Sequence, residues 1–263
     1  MNHYSFEFYG FAFFGIILAR YLIFAGGTHL FLDKAFGKDT TAELLQARSG
    51  ERLLTSDRGR LPHTTIGSDI KLSILSSLVF AVSAAAIASA YDLGITKLYT
   101  DVDRYPLWYL GASYLVAIVA QDAYFYFMHR LCHHKFLFRW CHQGHHRSNP
   151  PTPWTSFAFD LPEAIAHSLF LIGLVFIVPL HFITVMAVLT TMTVWAVVNH
   201  LGFDRLPASF PHHWCGRWFT GPAHHSIHHR HYGFHYGLYF TFWDRQLGTQ
   251  LPTYEQEFAN VTH

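Results

Sequence analysis

The sequence predicts an all-α integral membrane protein of about four to five transmembrane or hairpin helices, with a cytosolic helical cap that holds a histidine-rich di-metal site. Long apolar runs predict the membrane helices, and histidines concentrated between those runs predict the cap. Apolar residues make up 51% of the 263 residues, and charged residues only 13%. The 21 histidines outnumber the 18 lysines and arginines together, and 17 of them lie between His129 and His235.

Composition excludes several classes of protein. A disordered chain needs high charge and few aromatic residues, whereas 17% of this chain is aromatic. The net charge of +1 shows no basic excess of the kind that nucleic-acid binding requires, so no nucleic-acid partner is expected. Three cysteines in a chain of this length do not form a disulfide scaffold. We therefore expect residues 1–263 to form a single membrane domain.

The apolar runs have the length of membrane spans. About 20 apolar residues cross the hydrocarbon core of a bilayer, and the runs at about 8–32, 72–91 and 107–128 satisfy this. A signal peptide is the alternative for the first run, but no basic segment precedes it and no small-residue cleavage site follows it. The fourth run, 164–198, would be about 52 Å long as one helix. Because Pro179 interrupts it and proline breaks helices, we predict a helical hairpin that returns to its starting side.

The basic residues predict the orientation. Fifteen lysines and arginines lie in the segments 33–71, 130–163 and after 200, which this topology places on one side. Only Lys97 and Arg104 lie on the other side. Cytosolic loops carry the excess of basic residues, so the cap, residues 129–163 and 199–250, is predicted to be cytosolic. Endoplasmic reticulum and bacterial inner membrane both remain open.

Three histidine clusters and one further histidine lie in this cap. Residues at i, i+3 and i+4 share one face of a helix, so each cluster presents convergent imidazoles. The candidate ligands are His129, His133, His142, His145, His146, His200, His225, His228 and His229. Nine histidines suit two metal ions, and iron is the first-row metal that performs oxygen chemistry with nitrogen ligands and open positions. No Glu-x-x-His pair is present, so a carboxylate-bridged di-iron bundle is excluded.

Two further histidines, one carboxylate and several isolated histidines have other candidate roles. His224 and His235 are candidates for additional ligands or for groups behind the ligands. Asp122 is the candidate to accept an imidazole N–H, and the alternative is that it pairs with Arg130 or a helix end. Isolated histidines are expected to act as polar caps: His134, His167, His181, His212, His213 and His231.

Other classes of metal-binding protein also use clustered histidines. A structural zinc site with Cys132 and Cys141 stays open, as do a non-catalytic metal-binding protein and a metal transporter. Transport sites lie near the bilayer midplane, whereas these histidines lie outside the spans. A bis-histidine haem would likewise require histidines within facing spans. The zinc-protease motif His-Glu-x-x-His is absent.

The ordered motifs resemble the fatty acid hydroxylase/sterol desaturase superfamily of membrane di-iron oxygenases. The matching elements, over about residues 70–250, are Asp122 and Tyr126 before His129-x-x-x-His133, then His142-x-x-His145-His146, Asn199-His200, His225-x-x-His228-His229, Trp243-Asp244 and Gly248-Thr249. The segments 94–99 and 151–159 are most similar to the sterol C-5 desaturase (lathosterol oxidase) branch.

The chain also departs from that branch. Phe157, Asp160 and His235 differ from it, and Asn199-His200 is more like the broader superfamily, including 4-methylsterol oxidases. Asp204 stands where fatty acid 2-hydroxylases have a further histidine, which is evidence against that branch.

The resemblance implies two iron ions held by the nine histidines, with O₂ as cosubstrate. Sterol desaturation is the expected reaction, and lipid hydroxylation or 4-methylsterol oxidation the alternative. The chain has no Gly-x-Gly-x-x-Gly motif, so an external cytochrome or ferredoxin with its reductase is expected to supply electrons. The basic surface would steer an acidic donor. The substrate is expected to enter from the bilayer past residues 151–159, with Trp214, Trp218 and Phe219 at the membrane interface.

Overall fold

The computed structural model describes residues 4–36, 63–202 and 209–262, which are mostly helical. Most of the predicted polar segment 33–71 lies outside the described residues, as does Asp204.

The first apolar run forms an almost continuous helical rod. Helix α1, Phe6–Tyr21, continues through a π-helical turn at Leu22–Gly26 into α2, Gly27–Phe36. Ser5 caps α1 by accepting a hydrogen bond from the backbone N–H of Phe8 at 3.2 Å. In the turn, a Cβ on Gly26 would lie 2.9 Å from the Trp154 ring, so glycine permits this close approach.

Four further long helices follow. They are α3, His63–Asp92; α4, Trp108–Cys132; α6, Leu161–Ile177; and α7, Phe182–Asn199. The short α5, Phe138–Cys141, lies between α4 and α6. In the described part of the chain, three stretches are long and apolar enough to cross a membrane: Phe6–Ala35, Ile66–Asp92 and Phe182–Asn199. Helix α6 is apolar but has only 17 residues, and α4 carries Gln121 and Asp122. The predicted count of four to five crossing helices therefore stays a prediction.

The predicted break in the fourth apolar run is confirmed. Helix α6 ends at Ile177 and α7 begins at Phe182, with Pro179 between them. The connection contains β2, Leu180–His181, which pairs in parallel with β1, Leu98–Tyr99. His181 caps α7, because its Nδ1 accepts a hydrogen bond from the Ile183 N–H at 3.0 Å while its Nε2 donates to a backbone carbonyl. The polar-cap role predicted for His181 is thus confirmed.

Helix packing brings the C-terminal ends of α4 and α7 to one site. Helix α3 packs against α1 and α6, and α4 packs against α6 and α7. Beyond α7 lie three shorter helices: α8, Pro222–Arg230; α9, Phe242–Gln246; and α10, Tyr254–Thr262. Helix α8 packs against both α7 and α10. Its Ala223 and Ile227 lie in a small apolar core with Leu251 and Tyr254, which fixes α8 against α10.

Candidate metal centre

The structure brings all nine predicted ligand histidines together in two groups. In each group the candidate ligand atoms lie within 4.8 Å of one another. We call them the five-histidine group and the four-histidine group. The five-histidine group consists of His129, His133, His142, His146 and His228, and the four-histidine group of His145, His200, His225 and His229. Every member except His133 is buried.

Local structure explains how each side chain reaches its group. His129 and its i+4 neighbour His133 lie at the C-terminal end of α4, on one helix face. His142 follows the short helix α5, and the next two candidate ligands start a single 3₁₀ turn over His145–Arg147. His200 directly follows α7. Helix α8 begins with Pro222, which suits the first helical position, and supplies the remaining three candidate ligands.

Backbone carbonyls fix the protonation of four imidazoles. A carbonyl oxygen only accepts hydrogen bonds, so the imidazole nitrogen that faces it must carry the hydrogen. The observed pairs are His129 Nδ1 with Tyr236 O at 3.0 Å, His145 with Ala158 O at 3.2 Å, His200 with Ala196 O at 2.6 Å, and His228 with Phe234 O at 2.6 Å. In a neutral imidazole, the other nitrogen, Nε2, then presents a lone pair. The lone pairs of these side chains point into the two groups.

These lone pairs approach each other closely, which fits a bound cation. His200 Nε2 lies 3.3 Å from His145 Nε2, and His225 Nε2 lies 3.0 Å from His200 Nε2. The first two nitrogens both act as acceptors, so no hydrogen bond joins them. Two nitrogens that bind one metal ion at about 2.1 Å each lie about 3 Å apart when they subtend a right angle. The residues present therefore fit a metal ion in the four-histidine group.

The five-histidine group repeats this arrangement. His129 Nε2 lies 2.9 Å from His142 Nε2, and His146 Nε2 lies 3.1 Å from His228 Nε2 and 3.2 Å from His133 Nε2. Imidazole nitrogen suits iron, copper, zinc and nickel alike. The donor set therefore fits two histidine-bound metal ions and leaves the metal to be identified by chemistry.

Burial keeps these histidines neutral. Removal from water lowers the pKa of His129 and His200 to about 4 and that of His133 to about 2. For the other six, burial and then repulsion from neighbouring imidazoles lower the pKa well below its usual value. At pH 7 no proton competes with a metal ion for these nitrogens.

Asp122 does not contact an imidazole, contrary to expectation. Its Oδ1 accepts hydrogen bonds from the backbone N–H groups of Tyr239 at 2.8 Å and Phe240 at 3.1 Å. Asp122 precedes His129 by seven residues, about 10 Å along α4, which separates it from the ligands. The Arg130 pairing is not seen either, because Arg130 donates to the Tyr126 hydroxyl at 3.2 Å. Asp122 instead anchors the 239–240 segment to α4.

Glu163 takes the role expected of Asp122. Its Oε2 accepts a hydrogen bond from His142 Nδ1 at 2.8 Å, and both side chains are buried. The sequence contained a signal for this contact, since Glu163 is an acidic residue that directly precedes the apolar run 164–198. A buried carboxylate there requires a partner.

His224 and His235 lie outside both groups. Their rings pack against each other, with centroids 4.0 Å apart, and both contact the Tyr254 ring. His224 Nε2 lies 3.7 Å from Asp244 Oδ2. His235 Nε2 accepts a hydrogen bond from the Leu251 N–H at 3.2 Å. The pair is therefore a buried neighbour of the centre.

The remaining candidates divide by exposure. Cys132 and Cys141 join neither metal group in the described part of the chain. His134, His212, His213 and His231 are exposed, whereas His167 is half-buried beside Glu163. Trp214 is 76% exposed, and its place at the membrane interface stays a prediction.

The predicted entry segment directly adjoins the four-histidine group. Residues Pro153–Phe157 form a 3₁₀ turn, and Trp154 packs on the ring of Tyr21. The following residue, Ala158, supplies the carbonyl that orients His145. That this segment admits substrate stays a prediction.

Comparison with known proteins agrees with this centre. Residues 114–249 match the family model described as "Fatty acid hydroxylase". The chain is 31% identical to a Delta(7)-sterol 5(6)-desaturase of Gibberella zeae, over 59% of this chain and 47% of the relative. It is 34% identical to lathosterol oxidase of Rattus norvegicus, over 58% of this chain and 50% of the relative. It is 33% identical to methylsterol monooxygenase 1 of Rattus norvegicus, over 57% of this chain and 51% of the relative.

These matches are partial in length, and they rest on sequence alone. The chain spans about half the length of these three relatives. No solved structure is significantly similar to it. The family model nevertheless covers more than half of the chain and contains all nine histidines of the two groups. The chain therefore belongs to the fatty acid hydroxylase family.

Proposed function

We propose that the protein is a membrane-bound di-iron oxidoreductase that oxidises C–H bonds of a lipid, with sterol desaturation as its reaction. The convergence of the nine imidazoles in two buried groups at the end of apolar helices carries this proposal. The names of the relatives, which include sterol desaturases and lathosterol oxidases, support the choice of a sterol.

The proposed reaction balances as a four-electron reduction of O₂. Desaturation removes two hydrogen atoms, with two electrons, from adjacent carbons of the substrate. A second pair of electrons comes from an external cytochrome or ferredoxin with its reductase. With two further protons, O₂ leaves as two water molecules. Two bound iron ions would supply the oxygen activation that this reaction needs.

The protein's own residues hold and isolate that chemistry. Nine neutral imidazoles present nitrogen lone pairs, and the carbonyls of Tyr236, Phe234 and Ala158 keep three of them in orientation. Burial keeps bulk water from the ligand nitrogens. The centre lies where apolar helices end, so a lipid would reach it sideways from the bilayer. We place this side in the cytosol, where exposed Lys135 and Arg139 would attract an acidic electron donor.

Hydroxylation is the second candidate, and the methylsterol monooxygenase relative favours it. Both reactions use the same centre and differ in whether a second hydrogen is removed or oxygen is inserted. Substrate position decides between them to within about 1 Å.

Lipid profiling tests the proposal. Cells that express the wild-type protein, His145→Ala or His212→Ala should be compared with cells without the gene. We expect a new sterol double bond or hydroxyl with the wild type and with His212→Ala, whose side chain is exposed and outside both groups. His145→Ala should abolish the product. An unchanged lipid profile with expressed, metal-loaded wild-type protein would reject the enzyme and favour a non-catalytic metal-binding or metal-transport protein.

A further inference from the structure

A buried carboxylate behind one ligand distinguishes the two histidine groups. Glu163 is 1% exposed and lies in the first turn of α6. One carboxylate oxygen, Oε2, accepts the hydrogen bond from His142 Nδ1 at 2.8 Å. The other, Oε1, lies 3.6 Å from His167 Nε2, and neither of these two atoms has a hydrogen-bond partner.

The four-histidine group shows no such carboxylate among the described residues. Its two oriented ligands, His145 and His200, have backbone carbonyls behind Nδ1. A carbonyl fixes the tautomer of an imidazole but carries no net charge. A carboxylate in the same position also increases the basicity of the imidazole and therefore its strength as a metal ligand.

The negative charge of Glu163 faces only imidazoles among the described residues, so a positive charge that balances it would have to act through His142. In the described part of the chain, Glu163 forms ion pairs with His142 and His167, both of them imidazoles. The His167 ring is stacked on Phe125 at 5.2 Å and packed against Phe159 at 4.6 Å, which holds it beside the carboxylate. A buried carboxylate is costly without a compensating cation. A divalent ion bound to His142 Nε2 would supply that cation one imidazole away.

We infer that Glu163 is a positioning residue that makes the five-histidine group the tighter of the two metal sites. The group with five nitrogen ligands and the carboxylate-backed His142 fills first and empties last. This inference rests on the proposed metal centre and adds an order of occupancy to it. Loss of a group that orients a ligand lowers metal affinity about 10–100-fold, so Glu163→Gln should weaken this site by that factor.

Anaerobic Fe²⁺ titration of the purified, metal-free protein in detergent, with a competing chelator, tests the inference. We expect wild-type protein to bind two ions in two steps. Glu163→Gln should lose about 10–100-fold in the tighter step and leave the weaker step in place. Glu257→Gln makes the same chemical change at a carboxylate that pairs with Arg230 and His231 on the protein surface. It should leave both steps unchanged.

Variants of the candidate ligands show which histidine group gives rise to each binding step. They also keep the test decisive if Glu163→Gln does not fold. His229→Ala removes a ligand of the four-histidine group and should abolish the weaker step only. His142→Ala removes the carboxylate-backed ligand and should weaken the tighter step by more than Glu163→Gln does, while it leaves the weaker step in place. Equal affinities in the wild type, a Glu163→Gln titration that matches the wild type, or loss of the tighter step in His229→Ala would each overturn the inference. Wild-type protein that binds no iron would instead overturn the proposed function.

Discussion

Replacement of Asp244 tests whether one buried carboxylate holds the segment whose Tyr236 carbonyl orients His129. Asp244 Oδ1 accepts hydrogen bonds from the Tyr236 N–H at 2.9 Å and the Thr249 hydroxyl at 2.8 Å, and Oδ2 accepts one from the Gly237 N–H at 2.9 Å. Tyr236 in turn offers its carbonyl to His129 Nδ1. Asp244→Ala would leave three buried donors without an acceptor.

Asp244→Ala is expected to cause a large loss in the free energy of unfolding. Each buried donor left unpaired costs about 1–3 kcal/mol. Burial raises the pKa of Asp244 to about 6, and the removal of this desolvation cost offsets part of the loss. We expect a net loss of about 3–5 kcal/mol, against a total stability of about 5–15 kcal/mol for a typical domain. At roughly 2–4 °C per kcal/mol, Tm should decrease by at least roughly 6 °C.

Thermal unfolding of the metal-free protein in detergent measures this change. Asp244→Asn keeps one acceptor oxygen and should decrease Tm by an intermediate amount. Asp103→Ala removes an exposed carboxylate and should leave Tm within about 1 °C of the wild type. A Tm change of about 2 °C corresponds to a change in stability of about 1 kcal/mol or less. If the Tm of Asp244→Ala lies within about 2 °C of the wild-type Tm, the reasoning is refuted.

Three further predictions concern other parts of the molecule. His181→Ala removes the cap of α7 and should cost about 1 kcal/mol, seen as a Tm roughly 2–4 °C lower; an unchanged Tm would argue against the cap. Burial holds the pKa of His129 and His200 at about 4, below the unfolded value of about 6.5. Below pH 6.5 the unfolded chain therefore binds more protons, so the Tm of the metal-free protein should fall from pH 7 to pH 5; a constant Tm would contradict this. In Gly144→Ala the new Cβ would collide with the Asp160 carboxylate, so metal content after dialysis should fall, and full retention would show that this loop tolerates the shift.

Local pattern was enough to predict the long helices and to identify the candidate ligands. The apolar runs predicted α1, α3 and α4, and Pro179 predicted the break between α6 and α7. The i, i+4 spacing predicted two of the pairs, because His129 and His133 at the end of α4 share one group and His225 and His229 on α8 share the other. The helix argument was wrong for His142, His145 and His146, which follow the short α5 and enter a 3₁₀ turn. It did not apply to His200, which follows α7 as a single histidine.

The division into two groups could not be read from the sequence. His228 and His229 are adjacent but belong to different groups, since consecutive side chains on an α-helix point about 100° apart. His145 and His146 separate in the same way on a 3₁₀ turn. Which group a histidine joins depends on segments that are distant in the sequence. The carbonyl that orients His129, for example, belongs to Tyr236, 107 residues away. Asp122 was misassigned for the same reason: a carboxylate in an apolar helix predicts a buried partner but does not identify it.

The central claim is that these nine histidines hold two iron ions. Anomalous diffraction at the iron absorption edge, on crystals of protein expressed with iron, tests it most directly. We predict two peaks per chain, one surrounded by the five-histidine group and the other by the four-histidine group. A single peak, or a peak bound by Cys132 and Cys141 or by His224 and His235, would contradict the account.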